Sequence, residues 1–530
     1  MTEMRIAPMT RRSLLGLIGT AAGSTVMYHA MSALALAGES GYVGPIELTG
    51  DVKGASVLIL GAGLAGMSAA YELRNAGYKV QLLEYNDRPG GRTWSLYRDD
   101  IYTEMGGIAQ QVQFDKGLYF NPGPWRIPHN HRALLSYCRR FNVALEPFCQ
   151  VNYEAYVHST KAFDGRPQRY RHVHADFNGY VAELLAKCVH QDQLDQVVGQ
   201  EDREVLLEAV RNWGALDKNF EYRRGLLTSD RRGFQSDPGG GLAPTPSPSE
   251  PIAMNELLRS HLWTAIASGH HYEFQSTVFQ PAGGMAMIAR AFGRELDGVI
   301  HYNAKVIEIH QDEKGVTATY QDARHGGQAR RMRADWCVCT IPASVLSQIP
   351  MNVGAPMQTA VNALSYVSSV KVALQFKRRF WEEDESIYGG ISYTDLPNGM
   401  IGYPSSGYFT KKGVLVGAYA FGSNAFQLTS MTPQERIATT LRCGAQLHPQ
   451  YTKEFETGVS VAWHRVPWAL GCAAIWDDES RARHYENLCA IDGRIVLAGE
   501  HASRLPAWQE GALLSSLDAI QRLHRRVMTT

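Results

Sequence analysis

The residues able to do chemistry fall into two groups, one suited to holding a phosphate-bearing cofactor and one to gripping a carboxylate. Gly61-Ala62-Gly63-Leu64-Ala65-Gly66 follow an apolar run at residues 55–60 and precede a stretch of helical composition at 67–75. In such a G-x-G-x-x-G the first glycine makes a tight turn and the second lets the backbone approach a pyrophosphate. The third lets the helix pack closely on the strand, and the helix start offers free N–H groups to the phosphate. A second strand, at 79–83, ends in Glu84, spaced to accept hydrogen bonds from a ribose. Asp87-Arg88-Pro89-Gly90-Gly91-Arg92-Thr93 comes directly after it. Its paired glycines let a loop press on phosphate and Arg92 can add a charge-assisted bond, which points to FAD rather than NAD.

The second group is scattered. Arg126 lies in Gly123-Pro124-Trp125-Arg126-Ile127-Pro128, where flanking prolines stiffen the loop. Its guanidinium fork matches a carboxylate with two parallel bonds. Lys371 sits in Val370-Lys371-Val372-Ala373-Leu374-Gln375-Phe376, whose larger apolar residues alternate, so the lysine faces the other way. Tyr419 lies in a strand-like run at 414–422 that is apolar on both faces. It is therefore predicted to be buried, with a hydroxyl that needs a partner.

The elements that must position these residues are legible at low resolution. Apolar runs at 55–60, 337–342 and 495–500 read as buried strands, the last ending in Glu500, and 79–83 reads as a further strand. Trp508-Gln509-Glu510-Gly511-Ala512 opens a final helix. Residues 128–275 read as mainly helical, with apolar spacing clearest at 131–141 and 177–191. A Gly/Pro/Ser-rich tract at 229–251 is expected not to pack as a regular element.

Composition bounds the rest. A chain of 530 residues implies two or three packed subdomains. Lys plus Arg (52) balances Asp plus Glu (52), so nothing points to nucleic acid. Eight cysteines show no metal-ligand spacing; no metal site is expected, and Cys337, Cys339 and Cys188 read as core thiols. Arg11-Arg12 precede a Gly/Ala-rich apolar stretch that ends in Ala35-Leu36-Ala37. Residues 1–37 thus resemble a twin-arginine export signal, implying a periplasmic or secreted protein with no stable membrane span.

Together these motifs resemble the amine oxidase family of glutathione-reductase-like flavoproteins, which includes monoamine, polyamine and L-amino acid oxidases. The likeness runs over about residues 54–525 and includes Phe279-Gln280-Pro281-Ala282-Gly283-Gly284-Met285 and Ala304-Lys305-Val306-Ile307. It implies an α/β plus α+β fold with a Rossmann-type FAD-binding domain, a mixed-sheet substrate domain and a helical subdomain. The implied boundaries are 54–125, 280–345 and 485–530 for FAD, 126–275 for the helical part and 346–484 for substrate. Implied cofactor contacts are Gly61, Gly63, Leu64, Ala65, Gly66, Glu84, Tyr85, Gly91, Arg92, Met105, Gly106, Gly107, Val306, Glu500, Gln509 and Ala512. Arg126, Tyr419, Ala507 and Trp508 are the implied substrate contacts. Lys371, holding a water at the flavin, and Trp508, an aromatic wall, are the implied catalytic residues. The implied reaction is oxidative deamination of an L-amino acid with O2, in a homo-oligomer, a dimer by preference. An amine or polyamine oxidase and an amino acid 2-monooxygenase share the fold and stay open, as does a flavin-binding protein without turnover.

Overall fold

The computed structural model describes residues 40–191 and 199–529, so the export-signal expectation for 1–37 lies outside the described residues. In chain order the elements that build the site are β1 (Ser56–Leu60), α1 (Leu64–Asn75), β2 (Lys79–Leu83), α2 (Arg132–Arg140), α3 (Tyr170–His190), β3 (Trp336–Cys339), β4 (Ser369–Phe376), β5 (Gly413–Phe421), β6 (Ile495–Leu497) and α4 (Gln509–Thr529).

A six-stranded sheet runs in the order Ile300–His301, β2, β1, β3, β6, Ile491–Asp492. Its first five strands are parallel and the last pair is antiparallel. From Val57 to Leu60 β1 is apolar and buried because both its faces are covered. Val57 and Ile59 pack with α1 and α4, through Met67, Leu513 and Ile520. Leu58 and Leu60 pack on the other side with Val306, Ala318 and Cys339. That side is capped by an antiparallel sheet of Ala304–Asp312, Gly315–Asp322 and Gly326–Ala334.

A seven-stranded mixed sheet carries the second group of residues, in the order Gln168–Arg169, Tyr156–His158, Gly390–Thr394, Met400–Tyr403, β5, β4, Phe455–Ala462. Every residue of β4, which has a strand on either side, is buried. Val370, Val372, Leu374 and Phe376 enter one core cluster, and Ala373 enters the one on the opposite face.

The stretch 126–275 is less helical at its start than the sequence pattern predicts. Ile127–Pro128 and Leu145–Phe148 both pair with Val278–Pro281, and Tyr156–His158 joins the seven-stranded sheet beside Gly390–Thr394. These strands are too short to show a period of their own; partners more than a hundred residues away make them. Helices dominate from α3, which starts at Tyr170 because Tyr170 and Val173 pack into a core with Leu257 and Phe274. The 229–251 tract also corrects expectation, since Phe234–Ser236 pairs with Ser247–Pro248. Its base is held by Arg232, which donates to Asp176 at 2.9 and 3.1 Å. Among the described residues, no helix is long and apolar enough to cross a membrane and no cluster could hold a metal ion.

Candidate active site

Two adjoining cavities, of about 460 and 130 Å3, share Gly63, Arg92 and Thr340 in their walls. The larger is lined by Gly61, Glu84, Tyr85, Gly91 and Val306. The smaller is lined by Leu64, Ala65, Ala507, Trp508, Gln509 and Ala512. This is an elongated cradle suited to a dinucleotide, and the glycines show why. A Cβ on Gly63 would meet no protein atom within 4 Å, so the room it leaves belongs to the cavity. A Cβ on Gly66 would lie 1.9 Å from the Gly61 carbonyl oxygen, so only glycine lets α1 sit this close to the turn after β1. Gly61 itself has φ +102°.

The acids of the cradle are organised by backbone. Glu84 accepts from the Ala62 N–H at 2.6 Å and from Asn86 at 2.7 and 2.8 Å. Burial pushes its carboxyl above the usual value. Arg92, expected to face phosphate, lines both cavities and also donates to Glu500 at 2.7 Å and to the Cys472 carbonyl at 2.9 Å. Burial opposes ionising Glu500, yet Arg92 leads the groups that outweigh it and hold the carboxyl below its usual value. Gln509 and Ala512, in the first turn of α4, line the smaller cavity, so the helix start faces it with free N–H groups.

One cofactor expectation is corrected. Met105, Gly106 and Gly107 are exposed on the turn between Ile101–Thr103 and Ala109–Gln111 and line neither cavity. The neighbouring Glu104 is buried against Arg436, at 2.8 Å, away from the cradle. A glycine pair in a hairpin turn reads the same in sequence as one against a ligand. The cradle is lined by Gly123 and Pro124 instead. A Cβ on Gly123 would lie 2.1 Å from the Arg92 carbonyl oxygen, so this glycine marks a close approach of two backbones.

The second group converges beside the smaller cavity. Arg126 is buried, its guanidinium carbon 4.2 Å from the Phe274 ring centre and 5.7 Å from those of Trp125 and Trp508. Lys371 and Tyr419 are cross-strand partners on β4 and β5. The Lys371 Nζ lies 4.3 Å from the Tyr419 ring centre and 4.8 Å from that of Trp125. It donates to the carbonyls of Asn121 and Gly123. Burial, with Arg126 adding to it against a partly opposing Cys472, lowers the Lys371 pKa to about 7. Tyr419 is half-buried rather than buried as predicted, because one side of its ring faces the cavity. The other packs edge-on against Trp125 at 5.3 Å.

Several contributors carry no sequence signal of this role. Phe274 underlies Arg126 from a short helical turn. His131 packs edge-on against Trp508 at 4.9 Å, and burial, followed by nearby Arg126, lowers its pKa to about 3. It is therefore neutral at ordinary pH. Glu510, two residues after Trp508, accepts from Ala133 and Leu134 N–H groups at 2.9 and 2.8 Å. It ties the start of α2, and so the loop after Arg126, to the start of α4.

Residues 64–524 match the family of flavin containing amine oxidoreductases, and the chain belongs to it. The protein is accordingly an FAD-dependent oxidoreductase. It is 28% identical over 486 residues to a putative L-amino-acid oxidase of Bacillus subtilis (strain 168), covering 88% of this chain and 94% of that one. It is 27% identical over 478 residues to an L-amino acid oxidase of Bothrops pictus, covering 88% and 90%. Solved structures with the same fold include cyclohexylamine oxidase from Brevibacterium oxydans IH-35A, at TM-score 0.59, 17% identity and coverage of 89% and 99%. Putrescine oxidase bound to putrescine matches at TM-score 0.57, 19% identity and coverage of 90% and 99%.

Proposed function

We propose that this protein oxidises L-amino acids with FAD and O2, giving a 2-oxo acid, ammonia and hydrogen peroxide. The observation that carries the reading is Arg126, a buried guanidinium walled by Phe274, Trp125 and Trp508 beside Tyr419 and Lys371. A buried cation there attracts a carboxylate and repels the ammonium of a simple amine. The L-amino-acid oxidase names of the relatives support the same choice over an amine oxidase.

FAD, when bound, accepts a hydride equivalent from the substrate Cα–H and returns two electrons to O2. The chain's own work is positional. Arg126 and Tyr419 hold the α-carboxylate, and Trp508 and Ala507 wall the amine, so that one Cα–H is directed into the smaller cavity; orientation of this kind is a large part of catalysis. Lys371, lowered to about 7, holds or releases a proton near neutral pH beside the carbonyls of Asn121 and Gly123. Contacts to FAD come from Gly61, Gly63, Glu84, Gly91, Val306, Gln509 and Ala512.

The finer architecture belongs to the same proposal: a glutathione-reductase-like FAD domain of 54–125, 280–345 and 485–530, a helical part within 126–275, and a substrate domain of 346–484. So do export through the 1–37 signal and a homodimeric assembly. A screen of the proteinogenic L-amino acids with peroxide detection and product identification tests the reaction. Peroxide with a matching 2-oxo acid is expected. Turnover of amines but of no amino acid would replace the reading with an amine oxidase, and an amide product with a monooxygenase.

A further inference from the structure

A third cavity, of about 230 Å3, shares no lining residue with the cofactor cradle. Strand register fixes where it lies. Lys371, Ala373 and Gln375 alternate along β4, so they share a face, and their partners on β5 are Tyr419, Val416 and Val414. Val414 and Val416 line the cavity. It therefore occupies the face of the sheet that carries Lys371 and Tyr419. Its outer end is bordered by exposed Gly407 and Thr410, and its inner end by buried Asn121 and Trp125.

The inner end abuts the reactive residues through Trp125 and Asn121. Trp125 packs 5.3 Å from Tyr419 and 4.8 Å from the Lys371 Nζ, measured to its ring centre. The Asn121 carbonyl accepts from that same Nζ at 3.2 Å. Arg126, the next residue after Trp125, lies on the substrate side. The cavity thus approaches Lys371 across Trp125, and neither Arg126 nor Tyr419 lines it.

We propose that this cavity is the path by which dioxygen reaches the reaction centre, with Trp125 as its inner gate; the inference rests on the oxidase reading above. Dioxygen is small, uncharged and apolar, and it can pass an aromatic partition that a zwitterionic amino acid cannot. It takes two electrons from the reduced cofactor and two protons, and leaves as hydrogen peroxide. Negative charge develops on oxygen during that step, and the Lys371 ammonium at the end of the path stabilises it. A separate path also lets reoxidation proceed while an imino acid still fills the front of the site.

The test separates the two half-reactions in the FAD-loaded enzyme. Val414→Phe fills the cavity without touching Arg126, Tyr419 or Lys371, and Thr410→Trp plugs the exposed mouth at little risk to folding. Anaerobic bleaching of the flavin by an L-amino acid should keep its wild-type rate in both. The bimolecular rate of reoxidation by O2 should fall about tenfold or more, equivalent to ~1.4 kcal/mol on the barrier. Val414→Ala should leave reoxidation unimpaired. Crystals pressurised with xenon should show the gas between Trp125 and Val414 in the wild type and not in Val414→Phe. Reoxidation at the wild-type rate in both plugged variants, a parallel fall in both half-reactions, or no xenon in the wild type would each overturn the path. Failure of every L-amino acid to bleach the wild-type flavin would instead overturn the oxidase reading, and is seen in a separate trace.

Discussion

Arg126 has the largest expected consequence among single residues, because under the proposed reaction its removal would leave a desolvated substrate carboxylate without its main charge partner. Charge-assisted bonds contribute about 1.5–3 kcal/mol each. Arg126→Ala is therefore expected to lower kcat/KM by about tenfold to several thousandfold, in both KM and kcat. Bound FAD should stay near the wild-type level, since the cradle does not use Arg126. Arg126→Lys should restore activity only in part, because an ammonium lacks the fork. Steady-state kinetics beside the flavin absorbance decide it, and unchanged turnover by Arg126→Ala would relocate the carboxylate site. Lys371 makes a second prediction, about pH. Its pKa falls from 10.5 to about 7 on folding, so between those values the unfolded chain binds more protons. Stability must then rise with pH across that window, and the cost of burying the charge is fully present below about 7. The thermal midpoint of Lys371→Met should lack this rise when compared with the wild type; parallel curves would place the lysine's proton elsewhere. Both residues were legible because each sits in a stretch whose composition makes it unusual, a proline-stiffened loop and an otherwise apolar strand. Trp125, Phe274 and His131 were not, since an aromatic or histidine in a mixed segment reads as core until residues 126 and 274 are seen to meet.

The elements obey simpler rules, and most of the nucleotide fold could be read from them. From Val57 on, β1 is apolar on both faces because helices and a second sheet cover it, β2 is buried only at Leu82 and Leu83, and the turn between β1 and α1 is written in its glycines. Gly66 is the sharpest case. A Cβ there would sit 1.9 Å from the Gly61 carbonyl oxygen, a backbone atom that cannot rotate away. Gly66→Ala should push α1 off the strand, at a cost of about 1–3 kcal/mol from overpacking. It should also lower FAD retention, since the start of α1 lines both ends of the cradle through Gly63, Leu64 and Ala65. Denaturant titration and flavin content after gel filtration measure the two effects, and full retention of both would mean that α1 shifts freely. Illegible elements were those made by distant partners. Ile127–Pro128 has two residues, and only pairing with Val278–Pro281 makes it a strand that fastens the Arg126 loop. The Met105-Gly106-Gly107 turn misled for the complementary reason: the positive φ angles of Gly106 and Gly107 serve a hairpin and not a ligand.

At the scale of the molecule, the cofactor cradle is assembled from stretches far apart in the chain, with walls from Gly61 to Pro124, from Ala304 to Ile349 and from Tyr419 to Ala512. The chain therefore has to bring its middle and its end back to its beginning before FAD can bind, and FAD bound across them holds the three together. A ligand that binds the folded state alone stabilises it by RT ln(1 + [L]/Kd), about 2.7 kcal/mol at a hundredfold excess over Kd. Stripping the flavin is expected to lower the thermal midpoint, and added FAD to restore it in a concentration-dependent way. The two cavities predict how fragments divide that gain. ADP has the groups for the larger cavity, where Glu84 and Val306 stand, and should recover part of the shift. FMN lacks the adenine and its ribose, leaves that cavity empty, and should recover clearly less than FAD at equal concentration. Differential scanning fluorimetry of the stripped protein with each ligand gives the order FAD, then ADP and FMN below it. If FMN matched FAD, the larger cavity would contribute nothing to holding the cofactor, and the distant strand at Ala304–Asp312 would have to be removed from the binding site.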